Sequence, residues 1–233
     1  MIDSYFICAT PRTGSSLLLG LLESTGVAGH PESYFRAPDE RSWADRWQLT
    51  DYDYPGFVRA ARRAGTTGNG VFGAKLMWGT LTEVIAKLDP VTLEQAFGRT
   101  RFVHLWREDV VAQAVSWSRA EQTSFWYVGD VGGNGHEPQF SAAQIGDLVK
   151  TIGEHNAGWR EWFASAGVEP HRVRYEELVA DLPGVTRGIL DFLGLQLPAG
   201  REITARHQRQ ADALSLEWIA RYRSLPTPDP DGA

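Results

Sequence analysis

The chain has 233 residues, 42% of them hydrophobic, with 23 Lys and Arg against 29 Asp and Glu for a net charge of -6. That length and apolar content suffice to bury a substantial core in one domain. The acidic balance leaves no broad basic field for nucleic acid or an anionic membrane, so any anionic ligand must be held at a local site. The one cysteine, Cys8, excludes an internal disulfide, and its place inside a strand-like run predicts a buried, inert thiol in a reducing compartment.

Only Met1 to Ser4 precede the first strand-like run, YFICAT, and the longest apolar run is LLLGLL. Neither makes a signal peptide or a membrane span, so the expected location is the cytoplasm. The first helix is predicted from Gly14 to Thr25, with Leu17, Leu18, Leu21 and Leu22 on one face and a stop at Gly26. Residues 36 to 54 read as a variable loop. A helix over 55–64 follows, on which Arg59, Arg62 and Arg63 form a solvated face. Gly68-Asn69-Gly70-Val71-Phe72-Gly73 spells G-x-G-x-x-G, but it precedes a strand where the dinucleotide fingerprint must follow one and open a helix, so it reads as a turn.

The strand-like runs VFGAKLMW, RFVHLW and HRVRY then alternate with helical patterns over 81–88, 109–126, 141–166, 185–193 and 206–223. This is the rhythm of an α/β fold, a central parallel sheet flanked by helices. The loop GDVGGNGHEPQ, part of a second variable stretch at 129–140, and the tail PTPDPDGA read as mobile and disordered. One domain over 1–225 and a tail over 226–233 result.

Chemistry concentrates at strand ends. In CATPRTGSSLLLGLLEST a strand feeds a turn that opens a helix. The first amides of a helix lack internal partners and sit at the positive end of its dipole, so such a turn can cradle an anion. Arg12 adds a permanent forked donor, Thr13, Ser15 and Ser16 add hydroxyls, and Gly14 lets the backbone come close. An ordinary turn with a Thr or Ser cap is the plainer reading. Walker A spacing is missing and no lysine follows the glycine, which counts against an ATP-dependent kinase. In HLWREDVVAQAVSWSRAEQT, Arg107 ends a strand, and Asp109, Gln113 and Ser116 share a helical face, which provides for a second anion. Two anion sites at the carboxyl ends of parallel strands suit a nucleotide with phosphates at both ends. The six histidines are scattered without metal-ligand spacing, so no metal is expected.

ATPRTGSSLL, NGVFGAKLMW, HLWREDVVAQAVSW, HRVRYEELVADLPGVTRGILDFLGL and RQADALSLEWIARYR, in this order, resemble the bacterial carbohydrate sulfotransferases of the trehalose 2-sulfotransferase type. The resemblance implies a single-domain, P-loop-like nucleotide-binding sulfotransferase fold. It also implies 3′-phosphoadenosine 5′-phosphosulfate (PAPS) as donor, adenosine 3′,5′-bisphosphate (PAP) as product, and a sugar or glycosylated small molecule as acceptor. A homodimer is suggested by the same likeness. Carried over by motif, Pro11, Arg12, Thr13, Gly14, Ser15 and Ser16 surround the 5′-phosphosulfate, Arg107 and Ser116 hold the 3′-phosphate, and Arg209 and Gln210 close over the nucleotide. RVRYEEL finishes the sheet and is assigned no chemistry. Arg12, then Lys75, stabilise charge on the leaving oxygen of an in-line transfer. The base is expected in GHPESYFR, where the trehalose pattern puts its glutamate at Ser33 while this chain carries Glu32; Glu32 is the first candidate and His30 the alternative. Ser33, Tyr34 and Trp78 are acceptor-site candidates, Trp117 and Trp126 flank the site in sequence, and most of the nine tryptophans are packing residues. A nucleotide or sugar kinase and a non-catalytic nucleotide-binding protein are the competing readings.

Overall fold

The computed structural model describes residues 2–87, 95–124, 137–205 and 213–226. These fall into two compact units, Met1–Glu108 with His155–His207, and Asp109–Glu154 with Gln208–Ala233.

The first unit is built on four parallel strands, β1 (Ser4–Ala9), β2 (Phe72–Met77), β3 (Thr100–Trp106) and β4 (His171–Arg174), in the order β2-β1-β3-β4. Register sets which side chains share a face. Ile7 pairs with Lys75 and Val103, and Cys8 with Leu76 and His104. Successive residues of a strand point to opposite faces, so the sheet carries two cores. On one, Ile7, Ala9, Val103, Leu105 and Val173 meet α1 (Ser15–Ser24) and α8 (Leu182–Leu193) through Leu18, Leu21, Leu22, Ile189, Leu190 and Leu193. Three α1 leucines, 18, 21 and 22, are 0% exposed, each worth about 2 kcal/mol of burial.

On the opposite face Phe6, Cys8, Ala74 and Leu76 pack against α3 (Tyr54–Gly65), α4 (Trp78–Lys87) and residues 155–165 of α6 (Ala142–Ser165), through Phe57, Val58, Leu81, Val84, Trp159 and Phe163. Cys8 is buried and burial pushes its thiol well above the usual range, as the sequence predicts for an inert cysteine. Arg59 and Arg63 are exposed as expected. Arg62 is not simply solvated: it is half-buried and its Nη1 donates to the Ala96 carbonyl. The G-x-G-x-x-G stretch is a turn into β2, closed by Thr67 Oγ1 donating to Asn69 Oδ1 at 2.6 Å and Asn69 Nδ2 donating to Val27 O at 2.8 Å.

Two helices depart from expectation. α2 (Ala37–Arg46) occupies the stretch read as loop, with Pro38 in its first turn and Asp39 and Glu40 beside it at the positive end of the dipole. α7 (Tyr175–Ala180) follows β4 directly and buries Leu178.

The second unit joins α5 (Val110–Thr123), residues 142–154 of α6 and α9 (Ala213–Arg223) around Ala114, Val115, Ile145, Leu148, Ile152 and Trp218. Phe140 meets Trp218 edge to face, 5.7 Å between centroids, and Arg221 lies 4.0 Å over the Phe140 ring. The loop expected at 129–139 is described only from 137 onward. Arg209, Gln210, Trp126 and the tail from 227 lie outside the described residues. Among the described residues no helix is long and apolar enough to cross a membrane.

Candidate active site

The turn after β1 is held from beneath. Trp159 Nε1 donates to Ala9 O at 3.1 Å, and Thr10 Oγ1 donates to Asn156 Oδ1 at 3.2 Å. The chain then passes through two left-handed residues, Arg12 at φ 67 and Gly14 at φ 81. Gly14 is the N-cap of α1. Its missing side chain has a second reason: a Cβ there would lie 2.7 Å from Cδ2 of Tyr175. Left-handed backbone and close approach both demand glycine.

A glycine cap supplies no side-chain acceptor, and α1 has no side-chain cap hydrogen bond. α2 likewise starts without one after Arg36, whereas at three other helices an aspartate does that work: Asp53 accepts from Gly56 N, Asp109 from Ala112 N and Asp181 from Gly184 N. The first amides of α1 are therefore presented with the dipole's positive end and with Arg12 beside them, which is the chemistry of an anion cradle. Thr13 departs from expectation. It is buried and its Oγ1 donates to Thr10 O at 3.0 Å, so its hydroxyl closes the turn. Ser15 is buried at the helix start and Ser16 half-buried.

Lys75 lies on the neighbouring strand, 5% exposed. Burial lowers its ammonium from 10.5 to about 8, a fall opposed by the negative charges of Asp39 and Glu32 and assisted by Arg36 and Arg12. These four groups thus lie within electrostatic reach of Lys75. Asp39 is a residue the sequence reading missed. Arg36 grips it in bidentate fashion, Nε to Oδ2 and Nη2 to Oδ1, both at 2.8 Å. The Pro38-Asp39-Glu40 opening of α2 was the available signal.

Glu32 runs along the outer edge of β2. It forms a parallel bridge with Ala74, and its carbonyl accepts from Lys75 N at 3.0 Å. Bridged residues share a face, so Glu32 takes the parity of Ala74, and Ser33, the next residue, takes that of Lys75. The segment is fixed at three further points: His30 N to Gly65 O at 2.9 Å, Tyr34 Oη to His30 O at 2.6 Å and Trp43 Nε1 to Ser33 O at 3.2 Å. The His30 ring is exposed, with Nδ1 3.4 Å from Glu23 Oε1.

The two aromatic candidates differ in their packing. Tyr34 is 2% exposed among Phe35, Trp43, Trp47 and Phe72, so it is a core residue that anchors the Glu32 segment through its hydroxyl. Trp78 is half-buried and meets Trp159 edge-on at 5.2 Å. Its ring is seated on Gly158, where a Cβ would come within 2.4 Å.

Arg107 follows the last residue of β3, and its guanidinium carbon lies 4.6 Å over the Tyr175 ring. The other residues expected near it belong to the second unit. There Asp109 caps α5, Gln113 is fully buried, Ser116 is half-buried, and Trp117 packs against that unit's core.

The family model for Stf0 sulphotransferases matches residues 4–225, spanning both units. The chain is 32% identical to a trehalose 2-sulfotransferase of Mycobacterium tuberculosis, over 96% of this chain and 95% of that protein. It is 30% identical to a trehalose 2-sulfotransferase of Mycolicibacterium smegmatis, over 94% of each. The fold is shared with a sulfotransferase from Alicyclobacillus acidocaldarius (TM-score 0.54, 16% identity, 95% of this chain and 91% of that one). It is likewise shared with the sulfotransferase domain of the curacin biosynthetic pathway (TM-score 0.53, 16% identity, 99% and 93%). The cradle at Gly14 and the charged residues at the strand ends lie within that matched span, and the chain belongs to the Stf0 sulphotransferase family as a sulfotransferase.

Proposed function

We propose that the protein transfers a sulfuryl group from PAPS to a hydroxyl of a carbohydrate or glycosylated small molecule. One observation carries the donor assignment. The N-terminus of α1 begins at a left-handed glycine without a side-chain cap, whereas the helices beginning after Asp53, Asp109 and Asp181 are capped by those carboxylates. This cradle fits the 5′-phosphosulfate, with donors from the backbone of 12–16, the Arg12 guanidinium and the Ser15 and Ser16 hydroxyls. Arg107 serves the 3′-phosphate.

PAPS supplies an activated sulfuryl group, and the protein supplies position and charge. Arg12 and the Lys75 ammonium stabilise the negative charge that grows on the oxygen leaving sulfur. Glu32 accepts the proton of the acceptor hydroxyl as that oxygen bonds to sulfur and the bond from sulfur to the phosphate oxygen breaks, giving a sulfate ester and PAP. The relatives named as trehalose enzymes support a sugar acceptor. Because the resemblance puts their glutamate at Ser33, and Ser33 and Glu32 take opposite parity beside β2, the reading stops at a sugar hydroxyl and does not extend to trehalose.

A thermal-shift comparison of PAP with ATP tests the class: PAP raises the melting temperature and ATP does so far less. Equal shifts would overturn it. With radiolabelled donor and a responsive acceptor, Glu32→Gln loses transfer while His30→Ala and Ser33→Ala retain it; retention by Glu32→Gln would move the base elsewhere.

A further inference from the structure

The motif RVRYEEL, to which no chemistry falls from sequence, bridges the two anion-binding regions. We propose that Tyr175 is a positioning residue whose ring fixes the separation between the Gly14 cradle and the Arg107 guanidinium. The inference rests on the PAPS reading of those two sites.

Three successive residues carry it. The edge of the Tyr175 ring abuts Gly14 so closely that a Cβ on that residue would lie 2.7 and 2.8 Å from Cδ2 and Cε2. Its face carries the Arg107 guanidinium, 4.6 Å from the centroid, a cation–π contact that orients a forked donor without consuming its N–H groups. On one side, Arg174 donates through Nη1 to Glu108 Oε2 at 3.0 Å while its Nε and Nη2 hold Glu177 Oε1 at 3.1 and 2.8 Å. On the other, Glu176 Oε2 accepts from the Glu108 backbone N–H at 3.2 Å. Residue 108 is thus clamped by 174 and 176 while 107 rests on the ring of 175, whose edge meets the cradle. The ring is held by its own helix, since α7 begins at Tyr175 with Glu177 Oε2 accepting from the Arg174 backbone N–H at 3.5 Å, and buries Leu178. Two ligands at opposite ends of one nucleotide need a fixed spacing more than either needs strength, because a misplaced group at one end weakens the grip at the other.

The test is titration calorimetry of the full chain with PAP and with AMP, which lacks the 3′-phosphate, for wild type, Tyr175→Phe, Tyr175→Leu and Glu176→Ala. Wild type prefers PAP. Tyr175→Phe, which keeps the ring, holds that preference within about twofold, and Tyr175→Leu reduces the PAP-to-AMP affinity ratio about tenfold, the scale of a desolvated cation–π contact. Glu176→Ala, which keeps the ring but frees the Glu108 amide, lowers the ratio about threefold, the worth of one hydrogen bond. This second variant preserves the test where Tyr175→Leu fails to fold. A wild-type ratio in Tyr175→Leu or, where that variant does not fold, in Glu176→Ala overturns the brace and leaves the nucleotide reading standing, as does a loss in Tyr175→Phe equal to that in Tyr175→Leu. A wild type without preference for PAP overturns both.

Discussion

The N-termini of α1 and α8 lie in the same unit and are capped in opposite ways. α8 starts after Asp181, whose Oδ1 accepts from Gly184 N at 2.8 Å, and so neutralises its own dipole. α1 starts after Gly14, which has no carboxylate to accept with and follows Arg12 by two residues. The first arrangement serves stability, since a capping side chain contributes about 1 kcal/mol. The second forgoes that contribution, adds a left-handed arginine at φ 67, and leaves positive charge concentrated at a strand end. A left-handed arginine beside a helix start that has no side-chain cap is where a binding site is proposed, set against the aspartate-capped start of α8.

Moving the α8 arrangement onto α1 should give the largest effect. Gly14→Asp sets a carboxylate where the phosphosulfate is proposed to bind, and the expected loss of PAP affinity is about a thousandfold, from charge repulsion combined with strain. Gly14→Ala meets the same φ of 81 and the same Tyr175 edge without the charge, and should lose only about tenfold. Calorimetry on the two variants separates the contributions. Equal losses would mean that space at Gly14 matters and the absent cap does not.

Lys75 sharpens the contrast in another way, because it too is a cost accepted in place of stability. Its fall from 10.5 to about 8 corresponds to a penalty of about 3 kcal/mol for holding a buried ammonium at neutral pH. Lys75→Met should therefore slow transfer about a hundredfold while raising the melting temperature at pH 7, the gain being reduced by the charge partners, Asp39 and Glu32, that it leaves behind. In wild type the folded lysine releases its proton near pH 8 and the unfolded one near 10.5. Stability consequently rises with pH across that interval, while transfer that relies on the ammonium falls above about pH 8. Parallel melting and rate profiles should diverge there, and profiles that stay parallel would remove Lys75 from the chemistry.

The same contrast explains what could be read from sequence. The four strands and the leucine face of α1 are written in local periodicity, and Leu18, Leu21 and Leu22 are buried as that pattern requires. Arg12, Gly14 and Arg107 could be proposed from sequence because strand ends, glycine and arginine have local meanings, and the structure sets Gly14 and Arg107 against one ring, Tyr175. α2 was missed because its sequence, APDERSWADR, is mostly polar, and a helix that buries little gives a weak periodic signal. Tyr34 was misplaced for a different reason: an aromatic side chain reads alike whether it stacks on a ligand or on Phe72, and only tertiary packing decides. Thr13 carried two meanings, anion donor and turn closer, and the carbonyl of Thr10 three residues back claimed it. RVRYEEL could not be assigned from sequence because its ring touches residues roughly 70 and 160 positions away.

His104 provides a control for Lys75, since it is a buried titratable group on β3 on which the charges of Arg172 and Arg160 act. It is 4% exposed, neither ring nitrogen has a hydrogen-bond partner among the described residues, and Trp159 and Phe163 pack against it. Burial, with Arg172 and Arg160 nearby, lowers it from 6.5 to about 4. Above pH 6.5 it is neutral folded and unfolded and costs nothing in charge. As pH falls from 6.5 toward 4 the unfolded chain takes up the proton first, and about 3 kcal/mol of stability should be lost. His104→Phe should flatten that part of the melting profile and leave transfer at pH 7 intact, unlike Lys75→Met. A variant that still loses stability as steeply would assign the acid sensitivity to other groups.

The smallest effect is expected at the other end of the comparison. Asp181→Ala removes the α8 cap and leaves the Gly184 amide without its acceptor, which should cost about 1 kcal/mol of folding stability. Helix α8 supplies Ile189, Leu190 and Leu193 to the core under α1, so the loss reaches the cradle only through packing, and PAP affinity should change by less than about twofold, within the range of independent sites. The variant thus tests whether a missing cap by itself makes a helix end bind a phosphate. Asp181→Ala gives α8 the uncapped state of α1 but neither a left-handed arginine nor a buried lysine on a neighbouring strand. A second equivalent of PAP in calorimetry would show that an uncapped helix suffices. One equivalent, at nearly wild-type affinity, would show that the cradle depends on Arg12 and Lys75 as much as on the open amides of α1.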